Sequence, residues 1–334
     1  MFWPPTDPQA TYPAKMSSQN PKNETIALGV DVGATRTKLG LVSRQGEIVA
    51  YREIATEAHH LELFIQRLLQ EIHTLLENNQ EPVIGIGITF CGWINEERTR
   101  PFFCPNFPAL HDFHFKELLE SEFHLPVVAQ DDVTAHTLAE YTFGVGHNCR
   151  RFLCLAIGTG LSAGVIVNGK SLDFTGGCAG DTGHIILRPG GPQCASGCKG
   201  CAEAFIGVAG IERLWRERYN SYRPAYEIIR DTAQGTDPRA MAVMQQIGSY
   251  VGELLASLFP IFVPDRIALS GGTAQAGNIL LDATLQRFED IAGGYCRTYA
   301  NVPGSGFTGV DIVLGRFKGE SGVIGAVVDL FRFS

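Results

Sequence analysis

The chain has 334 residues, 45% of them apolar and 19% charged, with a formal net charge of −8. That length accommodates two domains with separate cores, and an acidic balance with scattered basic residues excludes a charge-built surface for nucleic acid or an anionic membrane. No apolar run is long enough to span a bilayer; the longest, Tyr250–Val263, is interrupted by Glu253 and Pro260.

Residues 1–24 are rich in Pro, Gln, Asn and Ser and lack a basic start followed by an apolar segment, so a disordered leader is expected rather than a secretory signal. Met16 offers an alternative start. Nine cysteines, several of them clustered, without an export signal point to a reducing, cytoplasmic setting.

The ordered part opens with apolar runs at Ile26–Val30, Leu39–Val42 and Ile48–Ile54, separated by turns, which predict a three-stranded antiparallel meander. Its first turn, Asp31-Val32-Gly33-Ala34-Thr35-Arg36-Thr37-Lys38, combines a carboxylate, a glycine and two hydroxyls. Such a turn can meet a phosphate with N–H and hydroxyl donors while the Asp holds Mg²⁺ through water; an ordinary hairpin explains it equally well. Leu61, Ile65, Leu68, Leu69, Ile72 and Leu76 recur at helical spacing, and Val83–Phe90 reads as a buried strand. An irregular segment, Cys91–Leu110, holds Asn106. A helix over Phe115–Phe123 and a strand over Pro126–Ala129 then lead to Asp131-Asp132, which open a helix over Val133–Phe143. Carboxylates at the C-terminal end of a strand sit where α/β sheets place ligands. An N-cap role explains one of the two and leaves the other spare.

Strands Phe152–Ile157 and Ser162–Val167 flank a second small turn, Gly158-Thr159-Gly160. Helices are predicted over Ala204–Tyr219, Tyr226–Thr232 and Pro238–Phe259, the last with Met241 and Met244 on an apolar face that reads as core. Strand Arg266–Ser270 runs into Gly271-Gly272, a pair that lets backbone approach a flat ligand or merely makes a tight turn. A helix over Ile279–Ala292, a strand over Asp311–Gly315 and a helix over Ser321–Phe331 close the chain.

Between the second pair of strands and the helical region lies the most distinctive stretch. From His184 the thiols of Cys194, Cys198 and Cys201 follow at ten, fourteen and seventeen positions, with glycines at 190, 191, 197 and 200. Three thiolates and one imidazole on Gly-bent spacings suit a closed tetrahedral Zn²⁺ site; unligated cysteines in a loop are the plainer reading. Such a zinc would hold a loop still and would not itself define a function.

Taken together, Asp31-x-Gly-x-Thr-x-x-Lys38, Asp132 with Glu140 and Phe143-Gly144-x-Gly146, Gly158-Thr159-Gly160, Gly180-x-x-Gly183-His184, Gly200-Cys201-x-Glu203, Gly271-Gly272 and Ile324-Gly325-Ala326 resemble the ROK (repressor, open reading frame, kinase) family over residues 25–334. The resemblance implies an α/β, two-domain actin-like ATPase (ribonuclease H-like) fold with a central cleft. It divides the chain into a smaller domain, 25–132, and a larger one, 133–319, carrying the zinc loop 184–201. The segment 320–334 is expected to pack on the smaller domain.

The implied activity is ATP-dependent phosphorylation of a hexose hydroxyl, with Asp132 as catalytic base. Asp31, Gly33, Thr35, Lys38, Gly158, Thr159 and Gly160 would cradle phosphates and Mg²⁺, and Gly271 and Gly272 would line the adenosine side. Asn106, Asp131, Asp181, His184 and Glu203 fall where relatives contact sugar, and His184, Cys194, Cys198 and Cys201 would hold zinc. The chain departs from the family's pattern in four ways, one being Phe90-Cys91-Gly92 where the family usually has Pro-Gly after the fourth strand. Asp131 replaces the usual Asn, Asp181 replaces a Glu, and Ser196 replaces a thiol while Cys198 adds one two positions on. The substrate is therefore a hexose or N-acetylhexosamine left unnamed, polyphosphate stays open as donor, and a homodimer is an open possibility among partners. A catalytically weak sugar sensor is the competing reading. A repressor would need a DNA-binding domain ahead of the first strand, where the leader is short and not basic.

Overall fold

The computed structural model describes residues 25–104, 107–173 and 181–332. The expected leader, Asn106 and Gly180 lie outside these residues.

The first half is a five-stranded sheet. Strands β1 (Ile26–Val32), β2 (Arg36–Ser43) and β3 (Ile48–Ala55) form the antiparallel meander read from the turn residues. After helix α1 (Leu61–Glu77), β4 (Val83–Phe90) pairs in parallel with β1. A two-stranded ribbon, β5 (Trp93–Ile94) and β6 (Pro101–Phe103), occupies the segment read as irregular. Helix α2 (Phe115–Phe123) then leads to β7 (Val127–Asp131), which pairs in parallel with β4 and gives the order β3-β2-β1-β4-β7. Helix α3 (Asp132–Thr142) follows without a connecting loop.

The two faces of this sheet are built differently. Ile26, Leu28, Val30 and Val32 alternate onto one face and share a core with Phe64, Leu68 and Ile72 of α1. On the other face Gly40, Gly29 and Gly87 stand side by side across three strands. A β-carbon on Gly29 would lie 2.1 Å from the Val323 carbonyl oxygen, and one on Gly87 would lie 2.0 Å from that of Ala326. The glycine row is thus a flat bed for the C-terminal helices α10 (Ser321–Ala326) and α11 (Val328–Arg332), which return to the first sheet.

The second half repeats the plan. Strands β8 (Arg151–Ile157), β9 (Leu161–Val167) and β10 (Lys170–Ser171) form a meander. Strand β11 (Arg266–Ser270) joins β8 in parallel and β12 (Asp311–Leu314) joins β11, for the order β10-β9-β8-β11-β12. The connectivity matches that of the first sheet strand for strand. Helices α4 (Ala202–Ile206), α5 (Val208–Tyr219), α6 (Ala225–Gln234), α7 (Pro238–Phe262), α8 (Asn278–Phe288) and α9 (Gly294–Ala300) supply most of the larger core. Helix α7 starts at an Asp237 cap followed by Pro238, and Gly248 and Gly252 let it touch the α8 backbone.

Three predicted helices differ from the observed ones. The helix expected over Ala204–Tyr219 breaks at Gly207, whose extended backbone frees Val208 N–H to donate to Gly158 O at 3.2 Å. The helix expected to stop at Ala292 continues through a π turn, Glu289–Gly293, into α9. The closing helix divides at Val327.

Candidate active site

Strand β7 ends on Asp131, which turns the chain directly into α3. Its backbone is extended (φ −75°, ψ 158°), and its Oδ1 accepts a 2.8 Å hydrogen bond from Thr134 N–H, the arrangement of an N-cap. Asp131 therefore caps the helix, and Asp132 is the spare carboxylate. Asp131 is 3% exposed, and its Oδ2 is buried with no hydrogen-bond partner among the described residues.

The two acids share an electrostatic neighbourhood. Burial pushes Asp131 up to about 6, against the stabilising Thr134 hydrogen bonds. Burial, then the Asp131 charge, then that of Asp31 push Asp132 up to about 8. Burial, followed by the field of Asp132, also pushes the Cys104 thiol up to about 12 and raises Cys91 further. A carboxyl whose proton affinity sits near neutrality, at the mouth of a strand, is suited to take and release a proton.

Asp31 is the penultimate residue of β1, in register with Lys38 of β2 and Thr89 of β4. Lys38 Nζ stands 3.8 Å from the Asp31 carboxylate and donates to Gly319 O at 2.8 Å. In the turn after Asp31, Gly33 N–H donates to Arg36 O at 3.1 Å, and Thr35 is exposed. At the corresponding place in the second sheet, Gly158 N–H donates to Gly160 O at 3.0 Å, and Thr159 is exposed. Gly271, at the end of the neighbouring β11, has φ +87°, and a β-carbon there would fall 2.5 Å from Ile157 O. The glycine turns of β8 and β11 thus lie side by side at one sheet end.

Glu203, the second residue of α4, reaches the same turn. Its Oε2 accepts from Leu161 N–H at 3.2 Å, and a β-carbon on Gly160 would lie 3.0 Å from that oxygen. A single 3-10 turn, Thr182–His184, packs on Leu161; a β-carbon on Gly183 would be 2.0 Å from Leu161 O. That turn aims the two nitrogens of His184 in different directions. Nε2 lies 3.5 Å from Asp181 Oδ2, whereas Nδ1 lies 3.8 Å from Cys194 Sγ.

One donor atom each from His184, Cys194 and Cys201 lies within 4.8 Å of the others, close enough to meet on one metal ion. Cys198 sits beside this set, its sulfur 4.0 Å from His184 O, and does not belong to the tight trio. Burial, together with the neighbouring Cys194 and Cys198 thiols, pushes the Cys201 thiol up to about 12. The loop is pinned by bridges Ile186–Cys201 and Gln193–Lys199 and by the Arg188–Glu253 ion pair to α7.

Three residues escaped the sequence reading. His136 follows Asp132 by one helical turn, and its Nδ1 hydrogen-bonds Ser321 Oγ. Gly322 faces Asp31 so closely that a β-carbon would sit 2.4 Å from Oδ2. The i+4 spacing from Asp132 was the available signal for His136; nothing local marked Ser321 or Gly322.

Two sheets of identical connectivity, with polar turns gathered at strand ends, define the two-domain actin-like ATPase fold. The structure superposes on the ROK glucokinase of Streptomyces griseus, solved with glucose and AMPPNP, with a TM-score of 0.77 at 25% identity, covering 92% of this chain and all of that one. The ROK family profile matches residues 27–330, and the chain belongs to that family. It is 26% identical over 326 residues to the glucokinase of Streptomyces coelicolor, covering 92% of this chain and 98% of that protein. It is also 25% identical over 265 residues to the xylose repressor of Bacillus spizizenii, of which it spans 68%.

Proposed function

We propose that the protein is a hexose kinase that transfers the γ-phosphoryl group of ATP to a sugar hydroxyl. The observation that carries this reading is Asp132: a carboxyl left free of capping, near-neutral in proton affinity, at the C-terminal end of β7. In the reaction the sugar oxygen bonds to the γ-phosphorus, the bond from that phosphorus to the β–γ bridging oxygen breaks to release ADP, and the hydroxyl proton passes to Asp132.

Asp31, Gly33, Thr35 and Lys38 would hold the phosphates and their Mg²⁺ from the first sheet, and Gly158, Thr159 and Gly160 from the second. Gly271 and Gly272 would take the adenosine. Bound Mg²⁺ would neutralise charge on the β- and γ-phosphates. Asn106, Asp131, Asp181, His184 and Glu203 would contact the sugar; Asp181 and His184 already lie together on their turn. His184, Cys194 and Cys201 fit a zinc ion, with Cys198 as the fourth ligand after a small rearrangement, and the metal would fix the sugar-binding loop.

Support comes from the glucose and AMPPNP complex of the S. griseus relative. The test is coupled ADP release from Mg-ATP across hexoses and N-acetylhexosamines, with zinc measured on the same sample. Turnover on one sugar names the substrate. Absence of turnover on every sugar from folded, zinc-loaded protein would refute the kinase reading. A sugar-binding protein of low turnover is the second reading, favoured by Asp132 keeping its proton to about pH 8.

A further inference from the structure

Segment 319–322, which enters α10, is fastened at both ends. Lys38 donates to Gly319 O at 2.8 Å while standing 3.8 Å from the Asp31 carboxylate. At the other end His136 Nδ1 is hydrogen-bonded to Ser321 Oγ, and Ser321 is fully buried. The next residue, Gly322, presses its Cα against the Asp31 carboxylate, leaving no room for a β-carbon. Gly325 does the same to α3, where a β-carbon would lie 1.7 Å from Ala135 O, the residue before His136. Asp31 is thus walled by a segment whose position depends on His136 and Lys38. Burial holds the His136 imidazole below its ordinary range, against the pull of Asp31 and together with the push of Lys38, so the His136–Ser321 link is uncharged.

We infer that His136 and Ser321 form a positioning pair that sets the Asp31 carboxylate for the metal–nucleotide complex. The inference rests on the kinase reading and goes beyond it, because that reading assigns neither residue to the sugar, the nucleotide or the metal. His136 lies on the same helix face as Asp132, so one helix would deliver the base and steady the opposite side of the phosphate site.

The test titrates Mn²⁺ into protein with AMPPNP and reads bound metal by electron paramagnetic resonance, which needs no turnover. His136→Ala and Ser321→Ala should each weaken Mn²⁺ binding by roughly tenfold, the usual effect of losing a partner behind a metal ligand. The double variant should be no worse than either single one, and sugar affinity should be unchanged. His136→Asn, whose amide can take the place of Nδ1, should recover most of the loss. Ser321→Ala removes one oxygen atom, so the comparison survives even if the histidine variants fold poorly. Unchanged Mn²⁺ affinity with only a lowered Tm would reduce the pair to packing and overturn the inference. If the wild type bound no Mn–AMPPNP, the kinase reading itself would fall and this inference with it.

Discussion

Replacing Asp131 by Asn removes one charge beside Asp132 and leaves the cap in place, since Asn caps helices as well as Asp and can still accept from Thr134 N–H. Asp131 is the largest charge acting to raise Asp132, second only to burial. Two unit charges ~6 Å apart at an effective dielectric of about 20 interact by roughly 3 kcal/mol, about two pK units. Asp131 is itself pushed up to about 6, so it is almost wholly ionised near pH 8 where Asp132 titrates, and nearly the full two units are the expected change. The base works only when ionised, so activity falls as pH drops through its pKa. The acid limb of kcat/KM for the sugar should therefore lie about two units lower in the variant. The assay is coupled ADP release from pH 5.5 to 9.5, and any lost sugar contact appears as a pH-independent offset. Superimposable limbs, or a limb displaced upward, would refute the electrostatic coupling of the two acids.

Other perturbations have equally definite outcomes. Asp132 binds its proton more tightly folded than unfolded, so its contribution to stability is lost as pH rises from about 4 to about 8. Asp132→Asn should accordingly raise Tm by a few °C at pH 8 and change it little at pH 4; thermal scans at both values decide. Gly322→Ala drives a β-carbon to within 2.4 Å of Asp31 Oδ2, and turnover should drop at least about tenfold while sugar affinity by calorimetry is spared. Chelation, or Cys201→Ser, should remove zinc and weaken sugar binding together, and Cys198→Ser should lower zinc occupancy; full occupancy in Cys198→Ser would exclude that thiol as fourth ligand.

How much was legible beforehand depended on whether the cause was local. The meander of β1 to β3 follows from alternation and turn residues within thirty positions. The Cys-rich loop declared itself by spacing, and two adjacent acids could not both be one cap. The break at Gly207 was not legible, because its reason is the Gly158 carbonyl some fifty residues earlier. The glycines of β4 read as ordinary strand residues until α10 was seen lying on them. His136 looked like any polar residue on a helix; its partner Ser321 is 185 positions away. Cys198 shows the limit from the other side, since its spacing fits a ligand while its sulfur stands just outside the trio.

The central claim is that Asp132 is the base of a phosphoryl transfer. It is tested most directly by measuring ADP release and sugar binding side by side for the wild type and Asp132→Asn, on whichever hexose the panel selects. The account predicts turnover lowered by at least about a hundredfold in the variant, with the sugar dissociation constant nearly unchanged. Turnover retained in Asp132→Asn would contradict it and remove the base from this position.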